Sequence, residues 1–175
     1  MTAPSVQDLQ AGLSSAAACE LYDSLPTVTA EEILGQWHGS EVPTGHPLDG
    51  LLAVSGWYGK RFDGVDEVHP LMFGEPGDLY PVNPGSVPMD LLNALGERMP
   101  RPQIPGVTKA FKLVKTRRHR ARLRHVEYRG KVSAAMVYDQ IAVIDHFRAL
   151  DENTLLGAMD LRNSPQPYFF LLERD

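Results

Sequence analysis

The second half of the chain is a succession of short alternating segments, and this pattern restricts the fold more than any other feature of the sequence. Six segments of seven to ten residues follow Gly106, and turn signals such as Arg129-Gly130 separate them. Their ranges are 107–116, 120–128, 131–138, 142–149, 154–161 and 167–173. Short strands at such regular spacing are typical of antiparallel barrels and sandwiches. The sequence therefore predicts an all-β fold of that kind.

The alternation also assigns the two faces of these strands. Ala121 and Leu123 share one face of their strand, whereas the arginines around them point to the other. The segment 131–138 is apolar on both faces, which is typical of a strand that is covered on both sides. Apolar residues at spacings of three and four before Pro26 predict an amphipathic N-terminal helix as such a cover.

Two short accessory helices are expected upstream of the strands. Thr29 and Glu32 form a capping box that opens one or two helical turns ending near Gly35. A further helix is predicted over residues 89–99, inside a proline-rich stretch, 84–106, that is the candidate linker. Because domains contain about 150 residues, we expect residues 1–175 to form a single domain.

The net charge of −5 hides an uneven distribution. Residues 1–59 contain no Lys or Arg, whereas residues 109–131 contain ten of the seventeen basic residues. Such a concentration attracts phosphate-bearing ligands or an anionic membrane surface, unless it is a solvated face that pairs with the acidic N-terminal third. Nucleic acid is not an expected partner, because the pI is about 5.7 and exposed aromatic residues do not interleave the basic ones.

Cysteine content and apolar runs point to a compartment. Cys19 is the only cysteine, so no intrachain disulfide and no cysteine-based zinc site can form. No apolar run approaches the ~20 residues that span a bilayer. No Lys or Arg before Lys60 opens a secretory signal. These features predict a cytoplasmic protein.

Two sets of short motifs carry a resemblance to a known family. The first set comprises 35–39 (GQWHG), 43–49 (PTGHPLD) and 56–62 (GWYGKRF), and the second comprises 122–124, 128–130, 136–139, 144–147, 157–160 and 168–174. Residues 20–83 resemble the bacterial GXWXG family, and residues 115–174 resemble the domain of unknown function 4334 that usually follows it. The resemblance implies a lipocalin-like β-barrel of about eight to ten strands, and the binding of lipids such as phosphoinositides.

The leading functional hypothesis is an intracellular binding protein for an amphiphilic ligand, above all an anionic lipid. Trp37 lies between two glycines, which favours packing at the closed end of a barrel, while either Trp57 or Tyr58 points inwards. Arginines grip phosphate through two parallel hydrogen bonds. If the arginines face the interior of the barrel, they would bind the head group of the ligand. If they face outwards, they would form a docking patch for an anionic membrane. The candidate ligand-binding residues are Trp37, Trp57, Lys60, Arg61, Arg122, Arg124, Met136, Tyr138, His146 and Phe147.

A cofactor-free enzyme of isomerase or cyclase type is the alternative. Tyr138, Asp145 and His146 are its candidate acid–base groups. Asp145 and His146 are neighbours on one strand, so they point to opposite faces and do not pair with each other.

Haem binding is a third hypothesis, because a G-x-W-x-G motif near the start of a small barrel also resembles the nitrobindins. Those proteins have a further glycine where this chain has Glu41, and their iron ligand is a histidine close to the C-terminus, whereas the last histidine here is His146. We therefore expect no haem or other cofactor. No metal site is expected either, since His38, His46 and His69 are scattered over loops and strand ends. The sequence also allows a homodimer.

Overall fold

The computed structural model describes residues 4–86 and 107–175. The helix predicted over residues 89–99, and most of the predicted linker, lie outside the described residues. Four short α-helices and one 3-10 helix accompany the strands in the described part of the chain. They are α1 (Val6–Gln10), α2 (Ser15–Ser24), α3 (Leu51–Ser55), the 3-10 helix Pro84–Ser86 and α4 (Val107–Leu113).

Between residues 4–86 and 107–175, nine antiparallel strands form one sheet, and the sheet closes on itself. The strands are β1 (Gly35–Glu41), β2 (Trp57–Gly64), β3 (Glu67–Phe73), β4 (Tyr80–Pro81), β5 (Ala121–Tyr128), β6 (Lys131–Tyr138), β7 (Val143–Ala149), β8 (Thr154–Leu161) and β9 (Tyr168–Arg174). Their order is β2-β1-β9-β8-β7-β6-β5-β3, and pairing of β3 with β2 completes the ring, while β4 lies outside it on the edge of β3. The predicted all-β antiparallel barrel is confirmed.

The ring has one narrow junction, between β3 and β5. Whereas β5 and β6 pair along their whole length, β3 and β5 share the single register pair Val68 and Ala121. Two backbone hydrogen bonds flank it, from Arg120 N to Val68 O at 3.0 Å and from Leu123 N to Val65 O at 2.7 Å. Closure of the barrel therefore depends on few hydrogen bonds at this junction.

The N-terminal cover consists of two helices rather than the single helix that was predicted. The chain turns at Gly12, whose φ of +97° is a left-handed conformation that suits glycine, and Ser14 then caps α2 by accepting a hydrogen bond from Ala17 N at 3.1 Å. Helix α2 packs Tyr22 against Phe169 on the outer face of the barrel. The expectation of a helical cover is thus confirmed.

The structure corrects one other predicted element and confirms the predicted capping box. The segment 107–116, predicted as a strand, begins with helix α4, since its apolar residues 107, 110, 111 and 114 also fit the helical period. The Thr29–Glu32 capping box forms, with Thr29 N donating to Glu32 Oε2 at 2.6 Å. It opens only a single turn, because the chain enters β1 at Gly35.

The tryptophans and glycines of β1 and β2 pack at very short range. Trp37 is buried, and its indole Nε1 donates to Ile33 O at 2.8 Å. A Cβ on Gly59 would lie 2.0 Å from the Trp37 carbonyl oxygen, and one on Gly39 would lie 2.1 Å from the Trp57 ring. Only glycine allows this approach of two backbones.

We expect Gly59→Ala to lower the free energy of unfolding by about 1–3 kcal/mol, because its methyl group would overlap a strand backbone that cannot move aside. Gly64→Ala is the matched control, since there the nearest group is the flexible Glu67 carboxylate at 3.2 Å. Urea denaturation of both variants measures the difference. Equal stability of the two variants would contradict this packing.

Candidate functional site

The barrel encloses a cavity of ≈ 120 Å³ that is partly open to solvent. One water needs only ~15 Å³ on this scale, so side chains do not fill the interior. The residues that line the cavity come from the strands, from α3 and α4, from the 3-10 helix and from two loops. They are Leu48, Leu51, Leu52, Ser55, Trp57, Lys60, Leu71, Phe73, Pro84, Phe111, Tyr138, Ile141, Val143, Asp145, Met159, Tyr168 and Phe170.

A buried ion pair lies in the wall of this apolar cavity. Lys60 Nζ is 2.9 Å from Asp145 Oδ2, and the two side chains are only 3 % and 1 % exposed. The ammonium also donates to Pro70 O at 3.2 Å and lies 3.3 Å from the Tyr138 hydroxyl. That hydroxyl is 3.4 Å from Asp145 Oδ2, so the three side chains form one hydrogen-bonded cluster. We call Lys60, Tyr138 and Asp145 the interior polar cluster.

Aromatic rings surround the ammonium group. Lys60 Nζ lies 5.1 Å from the centroid of Phe170, 5.5 Å from that of Trp57 and 5.6 Å from that of Tyr138. Cation–π attraction at such distances is worth about 2 kcal/mol when the cation is desolvated. The rings and Asp145 together replace the water that Lys60 loses on burial.

The electrostatic state of the interior polar cluster follows from its burial. Lys60 and Asp145 neutralise each other, so the cluster carries no net charge. Burial and the neighbouring Asp145 carboxylate raise the pKa of Tyr138 well above its usual value, so the phenol stays protonated. Asp145 Oδ1 is buried and accepts no hydrogen bond from the described residues, which leaves one acceptor for a ligand donor.

An irregularity in β2 puts Lys60 inside the barrel. Strict alternation would place Trp57 and Lys60 on opposite faces, but the pairing with β3 shifts between Trp57 and Gly59 and again between Gly59 and Arg61. As a result Trp57 and Lys60 both line the cavity, whereas Arg61 is outside and pairs with Asp63 at 3.2 Å.

Helix α3 forms part of the cavity wall and is held by Glu41. The Glu41 carboxylate accepts hydrogen bonds from Gly50 N at 2.9 Å and Leu52 N at 2.8 Å, which are donors at the start of α3. The Tyr168 hydroxyl donates to the same carboxylate. Glu41 therefore connects the end of β1, the start of α3 and the start of β9 beside the cavity.

The structure brings only some of the sequence-predicted site residues together. Trp57, Lys60 and Tyr138 line the cavity, whereas Trp37, Met136 and Phe147 are buried in the core without lining it. The remaining candidates, all basic or imidazole side chains, lie on the outer face. They are Arg61, Arg122, Arg124 and His146.

The arginines are therefore not head-group ligands inside the cavity. Arg122 and Arg124 are 50 % and 46 % exposed and lie 3.6 Å from Asp139 and 2.8 Å from Asp66. Alternation places them opposite Leu123, which points into the core. Of the predicted basic ligands, Lys60 alone lines the cavity.

His146 is separated from the other candidate acid–base groups. Its ring stacks on Tyr128 with centroids 3.9 Å apart, and burial lowers the pKa of His146 below its usual value. Tyr138 and Asp145 face the cavity, whereas His146 lies on the outer face of the sheet. The three predicted acid–base groups are therefore not all in one place. A haem ligand of the nitrobindin type would be a histidine inside the barrel, and His146 does not lie there.

Several lining residues were not predicted. Phe170 and Tyr168 share the inner face of β9, and Val143 shares the inner face of β7 with Asp145. Alternation within these strands was a signal that could have identified them. Phe111 and α3 had no such signal, because they reach the cavity from outside the ring.

These features define a small antiparallel β-barrel protein with a largely apolar cavity and one buried ion pair in its wall. Within the described residues, no helix has the length and apolar character needed to cross a membrane. Residues 20–77 match the family described as GXWXG protein, and residues 119–174 match the Domain of unknown function (DUF4334).

The same architecture occurs in a solved structure, the "Crystal structure of protein from Thermomonospora curvata". That chain is 33 % identical, the match covers 94 % of this chain and 89 % of that one, and the TM-score is 0.69. No curated protein matches. The chain belongs to the family in which a GXWXG segment is followed by a DUF4334 domain.

We expect Lys60→Met to lower the free energy of unfolding by about 3–5 kcal/mol at neutral pH, because it leaves the Asp145 carboxylate buried without a counter-charge. The double variant Lys60→Met/Asp145→Leu should be more stable than the single variant, since it removes both charges. Arg124→Met is the control, because that ion pair is exposed and contributes about 0–1 kcal/mol. A double variant less stable than Lys60→Met alone would contradict this account.

Proposed function

We propose that the protein binds a small amphiphilic ligand inside the barrel, with the apolar part against the aromatic and aliphatic wall and one polar group at the interior polar cluster. The observation that carries the proposal is a largely apolar cavity in which Lys60, Tyr138 and Asp145 converge at one place. Ligand sites are commonly apolar clefts with a few converging polar groups that fix orientation.

The cavity limits the size of the buried part of the ligand. A volume of ≈ 120 Å³ is slightly smaller than a cavity of about 150 Å³ that binds benzene in another protein. One ring or a short alkyl chain therefore fits inside. The half-buried side chains of Leu52 on α3 and Phe111 on α4 provide apolar surface along which a longer ligand would extend.

The charge of the interior polar cluster favours an uncharged polar group on the ligand. Lys60 is already neutralised by Asp145, so a carboxylate or phosphate inside the cavity would be a second buried anion. A hydroxyl group suits the cluster better, because it donates to Asp145 Oδ1 at no cost in charge. This is the point at which the proposal differs from the anionic lipid expected from the sequence.

An anionic lipid such as a phosphoinositide fits only with its head group outside the cavity. Helix α4 supports this arrangement, since Phe111 lines the cavity while Lys109 and Lys112 are exposed. The end of an acyl tail would then occupy the barrel and the phosphate would lie at the helix. Arg61, Arg122 and Arg124 have no role in that arrangement.

A cofactor-free enzyme is a second candidate, and the interior polar cluster is the observation that favours it. A carboxylate, a phenol with a raised pKa and an ammonium lie within 3.4 Å of one another in an apolar cavity. Such perturbed groups are frequent at catalytic sites. Asp145 would act as the base and Tyr138 as the acid, without His146.

We expect the wild-type chain to bind decan-1-ol more tightly than decanoate, with titration calorimetry as the measurement. Val143→Phe should weaken decan-1-ol binding at least about tenfold, because Val143 lines the cavity two residues from Asp145. Val132→Phe is the matched control, since Val132 is 57 % exposed on β6 and the chemical change is the same. Leu52→Trp on α3 serves as a second obstructing variant if Val143→Phe does not fold.

Two results would contradict the proposal. One is equal binding by Val143→Phe and Val132→Phe, which would put the ligand elsewhere. The other is absence of bound small molecules from native mass spectra of the purified chain, together with no binding of either probe. Tighter binding of decanoate would overturn the argument from charge and favour the anionic ligand.

A further inference from the structure

A cluster of one carboxylate and two imidazoles lies outside the cavity. Asp63 in β2, His69 in β3 and His119 just before β5 each bring one ligand atom to within 4.8 Å of the others. Asp63 Oδ2 is 3.1 Å from His119 Nε2 and 3.7 Å from His69 Nε2. We propose that these three side chains bind a divalent first-row transition-metal ion such as Zn²⁺, at a site separate from the cavity.

The distances suit zinc coordination. Two ligand atoms of a tetrahedral Zn²⁺ ion lie about 3.3 Å apart when each is about 2.0–2.1 Å from the metal. The two separations from Asp63 Oδ2, 3.1 and 3.7 Å, bracket that value, and all three ligand atoms lie within 4.8 Å of one another, so modest side-chain movements complete the site. Two imidazoles and a carboxylate are also the donor set of zinc sites that keep one position for water.

The burial of the three side chains fits an open site with a fixed base. The His69 side chain is 4 % exposed, and its ring lies 4.3 Å from that of His119 between centroids. His119 and Asp63 are 33 % and 38 % exposed, which leaves access from solvent for the ion and for a water ligand. Packing of the buried His69 ring therefore fixes one ligand, and the other two close over the ion from the surface.

The position of Arg61 favours transition-metal ions over Mg²⁺ and Ca²⁺ at this site. Its Nε lies 3.2 Å from Asp63 Oδ1 and 3.3 Å from Oδ2, so it orients the carboxylate but cancels its charge. Attraction between charges therefore contributes little, and the affinity comes from the two imidazole nitrogens. Imidazole suits Zn²⁺, Cu²⁺ and Ni²⁺, whereas Mg²⁺ and Ca²⁺ prefer oxygen ligands.

The position of the cluster gives the ion a structural role. The backbones of Val68 and Arg120 join β3 to β5 by a hydrogen bond. His69 comes directly after Val68 in the chain, and His119 comes directly before Arg120. Asp63 lies on β2, the other neighbour of β3. A bound ion would thus link three strands across the junction at which the barrel is most weakly paired, and it would stabilise the closed ring by its binding free energy.

The test uses the full chain without a histidine tag, titrated with Zn²⁺ alone and with Mg²⁺ alone. We expect one Zn²⁺ per chain, no Mg²⁺ binding, and a rise in thermal melting temperature with Zn²⁺. His119→Gln should weaken Zn²⁺ binding at least about tenfold and abolish that rise. His38→Gln is the matched control, because the exposed His38 ring stacks on Tyr58 away from the cluster.

Asp63→Asn is a second variant. Because Asp63 lies at the surface, we expect this variant to fold, so that weaker metal binding would report on the site itself. It should weaken Zn²⁺ binding by less than His119→Gln does, because the two imidazole nitrogens supply most of the affinity. The proposal is overturned if the wild-type chain shows no saturable Zn²⁺ binding, or if His119→Gln binds Zn²⁺ as well as His38→Gln does.

Discussion

Closure of the sheet is the constraint on which the interior of this protein depends. Eight strands pair in a ring, and β3 must meet both β2 and β5 for the ring to be complete. Closely packed backbones at Gly59 and Gly39 hold β1 and β2 together on one side of β2. The junction between β3 and β5 has a single register pair. The wall around the cavity is therefore closely packed at β1 and β2 and weakly paired at β3 and β5.

The interior combines a large apolar wall with one neutral pair of charges. Burying Lys60 and Asp145 is costly unless each group finds partners, and here the partners are each other, Tyr138, the Pro70 carbonyl and three aromatic rings. A pair of this kind contributes little net stability compared with apolar residues of the same volume. Its location at the cavity wall is the reason to connect it with a ligand.

Local sequence patterns predicted most of the strands, but they did not predict the contacts between residues far apart in the chain. The ranges 131–138 and 154–161 coincide with β6 and β8, because turn signals in the sequence, Arg129-Gly130 and residues 151–153, come directly before them. The segment from residue 107 was predicted as a strand, although its apolar spacing also fits the helix that forms. Of the candidate site, Trp57, Lys60 and Tyr138 were identified from residue type and from the resemblance. Their association with Asp145 depends on closure of the ring, which no local pattern encodes.

The irregular pairing of β2 has a consequence for the interior of the barrel. Trp57 and Lys60 share the inner face only because the strand shifts its register between them. Strict alternation counted from Trp57 would place Lys60 on the outer face, away from Asp145. The three-residue step from tryptophan to lysine, and not the glycine–tryptophan motif alone, therefore determines that the lumen of this barrel contains a charged side chain.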